Sequence, residues 1–595
     1  MIYRPEIDGL RALAVIPVIL FHAGFQTFSG GFVGVDIFFV ISGYLITTII
    51  STELDTGSFS IITFYERRAR RILPALFAVM VITSIFAYAW MMPDELKRYG
   101  QSLVATLLFS NNILLTLTSG YWSFEAEFKP LLHTWSLGVE EQYYLLFPLL
   151  LIGLRKFSRT RIYLLIIILI IISFSTVLIS QRPFPELTFY LLPTRAWELM
   201  IGSLAALYIR SSRVITKKLK LLNLLSGLGL ISILASIEWF NASIPHPGIS
   251  TIAPTAGAAM IILFAHQGTF VNKLLSSRLM VGLGLISYSA YLWHWPLFCF
   301  ARIYSVSQPN LTTMAFIALA SLPLAFISWK FIELPFRSQI RVKRRNLLLV
   351  LAALSVPLAV FGLYASVTHG IPKRMYSSDI VNNDDMYILY NHSAYKYKKD
   401  TFSDENTVKI LIAGNSFGRD FVNMTVETFS SSKIELIYRD DFDECMAHSI
   451  DTTSKNLYAK ANIIVFASGG FRESCVSSDI SRSEHDGKNL FYTGSKQFGY
   501  NLNWLVRIPD SERANRFNPL TKDVIEKEVQ RRSMIPKKNF ISLVDSISVG
   551  PLIQVTDNDG QLISFDRGHL TKQGAKFIGI RALYGSLYGR IISAW

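Results

Sequence analysis

The stretch Leu10-Arg11-Ala12-Leu13-Ala14-Val15-Ile16-Pro17-Val18-Ile19-Leu20-Phe21-His22-Ala23-Gly24-Phe25-Gln26-Thr27-Phe28 is almost entirely apolar, yet it holds an arginine near one end and a histidine near its middle. An apolar stretch of this length is typical of a helix that crosses a bilayer. Ionisable residues within such a helix are costly, and they usually mark a functional site. Arg11 and His22 are separated by close to three helical turns, so they would share one face roughly 16 Å apart. The pattern predicts a cation at the mouth of a membrane site and an imidazole deep inside it.

Apolar stretches of this kind recur through the first 366 residues. The chain has 595 residues, of which 51% are hydrophobic and only 17% are charged, and this balance excludes an ordinary soluble protein of this length. The formal net charge of +15 does not indicate nucleic-acid binding, because the positive residues cluster in short connections between apolar stretches. We predict membrane spans over residues 10–28, 32–51, 72–92, 140–154, 161–180, 189–209, 220–238, 250–267, 281–303, 312–332 and 346–366.

The connections between these spans predict the topology. Strongly basic connections, near residues 67–71, 155–161, 210–220 and 337–345, alternate with nearly neutral ones. Placing the basic connections in the cytoplasm gives about eleven crossings, with the N-terminus inside and the C-terminus outside. The segment Gln101–Thr118 does not fit this count, and its polar residues favour a re-entrant or half-spanning helix packed within protein.

Charged residues inside or beside the spans are candidate site residues. Arg67, Arg68 and Arg71 lie at one predicted cytoplasmic helix start, and with Arg11 they exceed what topology requires. Guanidinium groups match phosphates well, so these arginines are candidates for binding a phosphorylated cofactor. Asp36 is an acid at membrane depth and a candidate substrate-binding residue.

A second group of candidates lies further along the chain. Glu140 and Glu141 follow Trp135 at a predicted outer mouth, where acids and an aromatic ring suit sugar binding, although helix capping explains one acid of the pair. Glu333 lies near an inner helix end and would pair either with an arginine of the cofactor site or with Arg337. His294, between two tryptophans, belongs either to an interfacial aromatic belt or to the site.

Taken together, the motifs of residues 5–340 resemble the acyltransferase-3 membrane family. Besides Arg11 and His22, the resemblance rests on Gly30-Gly-Phe-Val-Gly-Val-Asp-Ile-Phe-Phe-Val-Ile-Ser-Gly-Tyr-Leu-Ile46, Arg68-x-x-Arg71-Ile-Leu-Pro74, Thr134-Trp-Ser-Leu-Gly-Val-Glu-Glu-Gln-Tyr-Tyr144, Ser287-Tyr-Ser-Ala-Tyr-Leu-Trp-His-Trp-Pro296 and Phe331-Ile-Glu-Leu-Pro-Phe-Arg337. The resemblance implies acyl transfer from acyl-CoA, usually acetyl-CoA, to a carbohydrate outside the cytoplasm, with Arg11 and His22 essential. Arg67, Arg68, Arg71 and Glu333 would then form the coenzyme A mouth. His22 would act either as a general base or as a carrier of the acyl group, and the sequence does not separate the two.

From Val408 onward, short apolar segments alternate with polar, helix-like ones. Such alternation predicts an α/β domain with a parallel sheet. The predicted strands are Val408–Ala413, Ile434–Tyr438, Asn462–Ala467, Asn489–Tyr492 and Asn539–Val544. The predicted organisation is a membrane domain over 1–345, an additional membrane helix over 346–366, a linker outside the cytoplasm over 367–407 and this α/β domain over 408–595.

Two motifs suggest chemistry in the α/β domain. The first predicted strand runs into Gly414-Asn415-Ser416, and Asp566 and His569 stand three apart near the C-terminus. A serine at a strand-to-helix turn with a histidine base and an aspartate that orients it is the arrangement of a hydrolytic triad, whereas a serine alone would more simply cap a helix. The pattern resembles the SGNH hydrolase and acyltransferase family, although Asn415 stands where the family motif usually has Asp. Gly470 and residues 494–503 are candidates for the oxyanion site.

The cysteines and histidines do not show metal-ligand spacing, so no metal is expected. Cys445 and Cys475 both fall in the α/β domain, where an oxidising compartment would allow a disulfide that two cysteines alone do not prove.

The sequence as a whole predicts a multi-pass enzyme of a bacterial inner membrane, in contact with lipid, that transfers acetyl groups from acetyl-CoA to a surface polysaccharide or a lipid-linked glycan. Lipopolysaccharide O-antigen is the first choice of acceptor, because the fused architecture resembles O-antigen acetyltransferases, and peptidoglycan or exopolysaccharide stays open. An exported esterase is the main alternative. A pure transporter is a further one, against which the chain lacks a convincing internal repeat.

Overall fold

The computed structural model describes residues 3–118, 124–211, 218–375, 387–403, 405–430, 433–442, 445, 451–470 and 472–595. The chain divides into two compact units. The first comprises Met1–Tyr88, Lys97–Arg302 and Pro309–Val367, and the second comprises Ala89–Leu96, Ile303–Gln308 and Thr368–Trp595.

The described residues up to Val367 are almost entirely helical. The α-helices are α1 (Pro5–His22), α2 (Gly34–Asp55), α3 (Ile61–Trp90), α4 (Pro93–Leu107), α5 (Asn111–Thr118), α6 (Thr134–Leu154), α7 (Arg159–Ser180), α8 (Pro185–Tyr190), α9 (Leu192–Arg210), α10 (Leu219–Trp239), α11 (Ile252–Phe264), α12 (Phe270–Leu275), α13 (Arg278–Leu285), α14 (Ser287–Tyr304), α15 (Leu311–Ser328), α16 (Leu334–Arg337) and α17 (Arg344–Val367).

Seven helical segments of the described residues are long and apolar enough to cross a bilayer. They are Gln26–Asp55, Ile61–Trp90, Thr134–Leu154, Arg159–Ser180, Leu219–Trp239, Leu311–Arg337 and Arg344–Val367. The predicted polytopic helical region is therefore confirmed, whereas the count of about eleven crossings stays a prediction.

The first helix differs from the span predicted over residues 10–28. Helix α1 begins at Pro5, where the fixed φ of proline suits the first helical position. It ends at His22, because the chain turns at Ala23 and Gly24 takes a φ of +94°. His22 is thus the last residue of its helix rather than a residue midway through a span, and Arg11 lies in the helix interior rather than at its end.

The polar segment predicted over Gln101–Thr118 is divided between α4 and α5. Phe109 between them has a φ of +51°, which breaks the helix. Asn111 donates hydrogen bonds to the backbone oxygen of Leu131 at 3.0 Å and to the Thr134 hydroxyl at 2.9 Å. The predicted packing of this segment within protein agrees with these contacts, because the asparagine bonds protein groups on a neighbouring segment.

The second unit contains the predicted parallel sheet. Its strands are β1 (Val408–Ala413), β2 (Ile434–Arg439), β3 (Ile463–Phe466), β4 (Asn489–Thr493), β5 (Phe517–Pro519), β6 (Phe540–Ile541), β7 (Ser548–Val549) and β8 (Leu552–Gln554). The five-stranded sheet has the order β2-β1-β3-β4-β6 and every pair in it is parallel. All five predicted strands belong to this sheet, although β6 is shorter than predicted. The remaining strands form a small antiparallel sheet.

Helices cover the sheet and complete the unit. They are α18 (Tyr387–His392), α19 (Ser416–Thr428), α20 (Thr452–Lys460), α21 (Glu473–His485), α22 (Lys522–Met534), α23 (Lys572–Ala582) and α24 (Leu587–Ser593). Alternate residues of β1 pack into two different apolar clusters. Ile410 and Ile412 belong to one cluster, and Leu411 and Ala413 belong to the other. Both faces of the sheet are therefore buried, as is usual for parallel strands. Cys445 and Cys475 form a disulfide, which the sequence had allowed but not established.

Candidate active sites

A cavity of about 90 Å³, which we call the large cavity to distinguish it from a smaller one beside His22, opens within the first unit between α1, α2, α3, α6 and α14. Three of the residues that line it are arginines: Arg11, Arg68 and Arg71. Arg11 also pairs with Asp8, one helical turn earlier, at 3.2 Å. The structure therefore brings Arg11, predicted as a catalytic residue, together with two arginines predicted to bind a cofactor. Such a concentration of guanidinium groups suits a ligand with several negative charges.

The two acids predicted at an outer mouth lie at the arginine end instead. Glu140 lines the same cavity as Arg68 and Arg71, and it accepts hydrogen bonds from the Ser42 hydroxyl at 2.9 Å and the Tyr144 hydroxyl at 3.1 Å. Glu141 lies close enough to Arg68 for the two opposite charges to attract each other. The predicted placement of both acids opposite the arginines is wrong, because they lie about two turns into α6, whose first turn faces His22.

The two remaining cofactor candidates bond to other side chains. Arg67 pairs with Glu53 at 2.7 Å and is partly exposed, with 39% of its side chain accessible. Glu333 is fully buried, accepts a hydrogen bond from the Ser289 hydroxyl and pairs with Arg337 at 2.6 Å. The sequence offered Glu333 either an arginine of the cofactor site or Arg337 as its partner, and in the structure the ion pair is with Arg337. Neither Arg67 nor Glu333 is among the residues that line the large cavity.

Asp36 and Trp135, both predicted to bind substrate, have different surroundings. Asp36 is fully buried and pairs with Arg195 at 2.9 Å, and Arg195 also pairs with Glu198 at 3.0 Å. The ring of His246 lies 3.4 Å from the same Asp36 oxygen. Asp36 therefore belongs to a buried charge cluster between α2 and α9. Trp135 packs its ring under the Arg195 guanidinium, 5.3 Å from the ring centroid, and also lines a small cavity beside His22.

His22 is paired with a second histidine. Its Nδ1 lies 3.1 Å from Nε2 of His294, and the two rings stack with centroids 5.3 Å apart. His294 Nδ1 lies 2.7 Å from the backbone oxygen of Tyr291 and must donate to it, because a carbonyl oxygen only accepts. In the neutral pair, His294 Nε2 therefore accepts the proton of His22 Nδ1, so the lone pair of His22 is on Nε2. Of the two interpretations of His294, the structure therefore supports a place in the site beside His22.

Sequence reasoning missed His133, which lines the small cavity with His22 and Trp135. Its ring centroid lies 6.0 Å from that of His294 and 5.6 Å from that of Tyr291. The signal that was available is its place directly before the Thr134–Tyr144 motif. That signal is weak without the fold, because only the packing of α14 against the start of α6 brings these histidines together.

The large and the small cavity are neighbours. Val35 and Tyr291 line both of them. The Tyr291 hydroxyl donates to the backbone oxygen of His133 at 3.0 Å and lies 2.7 Å from the Ser136 hydroxyl. Because these bonds hold the ring in place, Tyr291 and Val35 separate the arginine-lined space from the space beside His22.

In the second unit, Ser416 begins α19 directly after β1. Asn415 is the N-cap, and its side-chain oxygen accepts the Phe417 amide hydrogen at 3.0 Å, so it does the capping work that an aspartate would do. Gly414 has a φ of +149°, and a Cβ there would lie 1.9 Å from the Ala467 oxygen. Only glycine fits this turn, which presents Ser416 at the carboxyl end of the central strands.

The structure brings Asp566 and His569 together as predicted. His569 Nδ1 donates to Asp566 Oδ2 at 2.7 Å, and the amides of Gly568 and His569 donate to Asp566 Oδ1 at 2.8 and 2.7 Å. Burial by itself would raise the pKa of Asp566, but these hydrogen bonds and the nearby imidazole lower it to about 2. The carboxylate therefore stays ionised and orients the His569 ring.

Asp420 and Lys496 connect the Ser416 turn to the His569 loop. Lys496 forms a buried ion pair with Asp420, and its Nζ donates to the Ser416 backbone oxygen at 3.3 Å. Asp420 Oδ2 also accepts the Leu570 amide hydrogen at 3.3 Å. Burial lowers the pKa of Lys496, and the Asp420 charge opposes that effect. The sequence did not single out either residue, because a buried ion pair between distant segments leaves no local pattern.

The candidate oxyanion groups are already engaged. Gly470 N donates to the Ser468 hydroxyl at 3.4 Å. Within residues 494–503, Asn501 Nδ2 donates to the backbone oxygens of Ile303 and Ser305, at 2.7 and 2.6 Å. The group of this stretch that does reach the Ser416 turn is the Lys496 ammonium, which donates to the Ser416 backbone oxygen.

Residues 4–330 match the family described as an acyltransferase domain. This match covers more than half of the chain, so the chain belongs to the acyltransferase-3 family. No solved structure matches it significantly.

Several curated relatives resemble the chain. It is 34% identical over 352 residues to the peptidoglycan O-acetyltransferase OatA of Listeria monocytogenes, which covers 56% of each chain. It is 32% identical over 353 residues to the putative peptidoglycan O-acetyltransferase YrhL of Bacillus subtilis, covering 57% of this chain and 55% of the relative. A putative O-acetyltransferase of Staphylococcus aureus is 27% identical over 468 residues, covering 73% of this chain and 77% of the relative. The chain thus spans little more than half the length of the first two.

Proposed function

We propose that this chain is a bacterial membrane O-acetyltransferase that takes acetyl groups from cytoplasmic acetyl-CoA and delivers them to hydroxyl groups of a glycan outside the cytoplasm. The membership of the acyltransferase-3 family and the O-acetyltransferase names of several relatives support the reaction class. The proposed orientation places the N-terminus in the cytoplasm and the C-terminal unit outside, on the charge pattern of the connections.

The observation that carries the proposal is the arginine-lined large cavity, which adjoins the small cavity at His22. Arg11, Arg68 and Arg71 suit the phosphates of coenzyme A, because guanidinium groups bind phosphate oxygens in pairs. The rest of the cavity wall includes Tyr288, Leu292 and other apolar or hydroxyl-bearing residues, which suit the uncharged arm of the cofactor. The arm would point from the arginines past Tyr291 towards His22.

His22 would perform the first chemical step. Its Nε2 has the lone pair in the neutral pair with His294, so it can take a proton from an acceptor hydroxyl or attack the thioester itself. Both routes use the same nitrogen and the same orientation of the ring. The two routes differ in one respect: only the acyl-carrier route forms an acetylated His22.

The second unit would complete the transfer. Ser416 would act as nucleophile, His569 as its base and Asp566 as the group that orients the base. The same three residues would also serve an esterase if water replaced the glycan hydroxyl. The family membership of the first unit favours transfer, because an esterase has no need of an acyl-CoA site.

The acceptor is proposed to be peptidoglycan. The sequence taken alone pointed to lipopolysaccharide O-antigen, but two of the relatives are named as peptidoglycan O-acetyltransferases. O-antigen and exopolysaccharide are the other outcomes of the test below.

The test uses single His22→Ala and Ser416→Ala variants of the full chain, expressed in cells that lack other O-acetyltransferases. Base-released acetate is measured separately on isolated peptidoglycan, lipopolysaccharide and exopolysaccharide. We expect both variants to lose the acetate from one and the same glycan. Increased acetylation in Ser416→Ala would instead identify an esterase, and unchanged acetate in His22→Ala would refute the proposed first step.

A further inference from the structure

His133 is buried without satisfying its polar atoms. Its exposed fraction is 3%, and neither ring nitrogen makes a hydrogen bond of normal geometry with the described residues, the backbone oxygen of Leu292 being only a weak contact. Leaving such a group unpaired costs on the order of 1–3 kcal/mol, whereas an apolar ring of similar size would avoid the cost. A side chain of this kind is typical of a site whose partner is a ligand.

The imidazole of His133 borders the small cavity at His22, the side of His22 on which the proposed function places the acyl group. It lines the small cavity together with His22, Trp135 and Tyr291. Because the Tyr291 hydroxyl donates to the His133 backbone oxygen, the backbone that carries this ring is held in place. The ring is therefore positioned beside His22 without being bonded to it.

The N-terminus of α6 lies at the same cavity. His133 is the residue directly before Thr134, the first residue of this 21-residue helix. The partial positive charge of a helix N-terminus favours negative charge nearby. Both features, the unpartnered imidazole and the helix end, suit a group that becomes negative during reaction.

We propose that His133 is a catalytic residue that donates a hydrogen bond from its ring N–H to the carbonyl oxygen of the acyl group being transferred at His22. This inference rests on the proposed acetyl transfer from coenzyme A. As the attacking atom bonds to the carbonyl carbon, the C=O π electrons move to oxygen, and that oxygen takes up the negative charge. When the C–S bond then breaks, the C=O bond re-forms, and the thiolate of coenzyme A leaves with the electron pair of the C–S bond and takes up the proton lost by the attacking group.

The role is the same in both routes open to His22. If His22 acts as a base, the attacking atom is the acceptor oxygen and its proton passes through His22 Nε2 to the thiolate. If His22 carries the acyl group, the attacking atom is Nε2 itself, and the proton that passes to the thiolate is the Nδ1 proton of His22, transferred through His294 Nε2. A neutral imidazole is a suitable donor in either case, because it stabilises the oxyanion without burying a permanent charge.

The experiment replaces His133 by Gln and by Phe in the full chain. Glutamine keeps an N–H donor and phenylalanine keeps a ring of similar size, so the two variants separate hydrogen bonding from packing. The rate of coenzyme A release from acetyl-CoA is measured in inverted membrane vesicles over a range of acetyl-CoA concentrations. The exposed His266→Phe variant is the control for expression and for histidine replacement in the same unit.

We expect kcat of His133→Phe to fall by about 100-fold to 1,000-fold, the loss typical of a removed oxyanion donor, with KM for acetyl-CoA changed by less than about threefold. His133→Gln should retain at least about tenfold more kcat than His133→Phe. Equal kcat values for the two variants, or a loss confined to KM, would overturn the assignment. If His133→Phe does not fold, His133→Asn and His133→Leu replace the pair with the same expectations.

The proposed function and this inference fail in different ways. If vesicles with the wild-type chain release no more coenzyme A than vesicles without it, the donor assignment itself is wrong. If the wild type is active and His133→Phe keeps its kcat, acetyl transfer stands and only the role of His133 is refuted.

Discussion

The two candidate sites hold a histidine in the same way but with opposite kinds of partner. In the first unit, His22 Nδ1 donates to the neutral ring of His294, which is fully buried. In the second unit, His569 Nδ1 donates to the ionised carboxylate of Asp566, of which 27% is exposed. A carboxylate near water keeps part of its hydration, whereas a carboxylate in the interior of a helix bundle needs a cation to offset its desolvation. The two histidines thus show how the dielectric surroundings favour one kind of partner for an imidazole over another.

This difference has a chemical consequence. In the proposed triad, the Asp566 carboxylate would stabilise the imidazolium formed when His569 takes a proton from Ser416. The His294 ring fixes the tautomer and orientation of His22 but brings no negative charge. We therefore expect the second site to depend strongly on its orienting residue and the first site to depend on it less.

The largest expected effect is that of Asp566→Asn on the second site. Removing the charge and the acceptor that orient His569 should lower kcat for p-nitrophenyl acetate hydrolysis by the full chain on the order of 1,000-fold to 10,000-fold, as in other triads. Ser416→Ala is the control that sets the floor of this assay. A loss of less than about tenfold would mean that Asp566 is not the orienting residue.

The contrast between buried and half-exposed charge is tested by Arg195→Met. This change leaves Asp36 and Glu198 buried without their guanidinium, so it should lower the free energy of unfolding by about 3–5 kcal/mol. Arg67→Met is the matched control, because its pair with Glu53 is partly exposed and should cost less than about 1 kcal/mol. Thermal unfolding of the purified chain in detergent measures both. Equal losses would show that burial does not distinguish the two pairs.

The role of His294 is tested by comparing His294→Leu with His294→Gln. Leucine removes the acceptor of the His22 Nδ1 proton, so coenzyme A release from acetyl-CoA should slow by about 10-fold to 100-fold in kcat. Glutamine supplies an amide oxygen as acceptor and should restore part of that loss. If both variants lose activity equally, or if only KM changes, His294 packs the site without orienting His22.

The smallest expected effect concerns acyl length at Tyr291. Because Tyr291 and Val35 lie between the two cavities, Tyr291→Ala should widen the passage and raise the ratio of butyryl-CoA to acetyl-CoA turnover by about tenfold. The matched control is Tyr143→Ala, which removes a buried tyrosine of α6 that is stacked on Phe147 and bonded to Ser203. That control should lower turnover of both donors alike. An unchanged ratio in Tyr291→Ala would exclude a constriction at this residue.

Much of this architecture was predictable because the signals are local. Apolar length predicts membrane helices, and alternating short strands predict a parallel sheet. The pairing of Asp566 with His569 was predictable for the same reason, since three residues separate them in one loop. The placement of Glu140 and Glu141 was not, because a sequence shows that acids begin a span but not which end of the bundle they reach.

By itself, the sequence determined the two-part organisation, the parallel sheet and the family to which residues 4–330 belong. Helical periodicity and strand alternation depend only on residues that are close in the sequence, so both can be recognised from the sequence alone. Only the tertiary structure decided that His133 and His294 join His22, that Asp36 pairs with Arg195 and that Lys496 supports the Ser416 turn. Each of these contacts joins segments far apart in the chain, and the burial that makes an unpaired polar group costly exists only once the segments have packed.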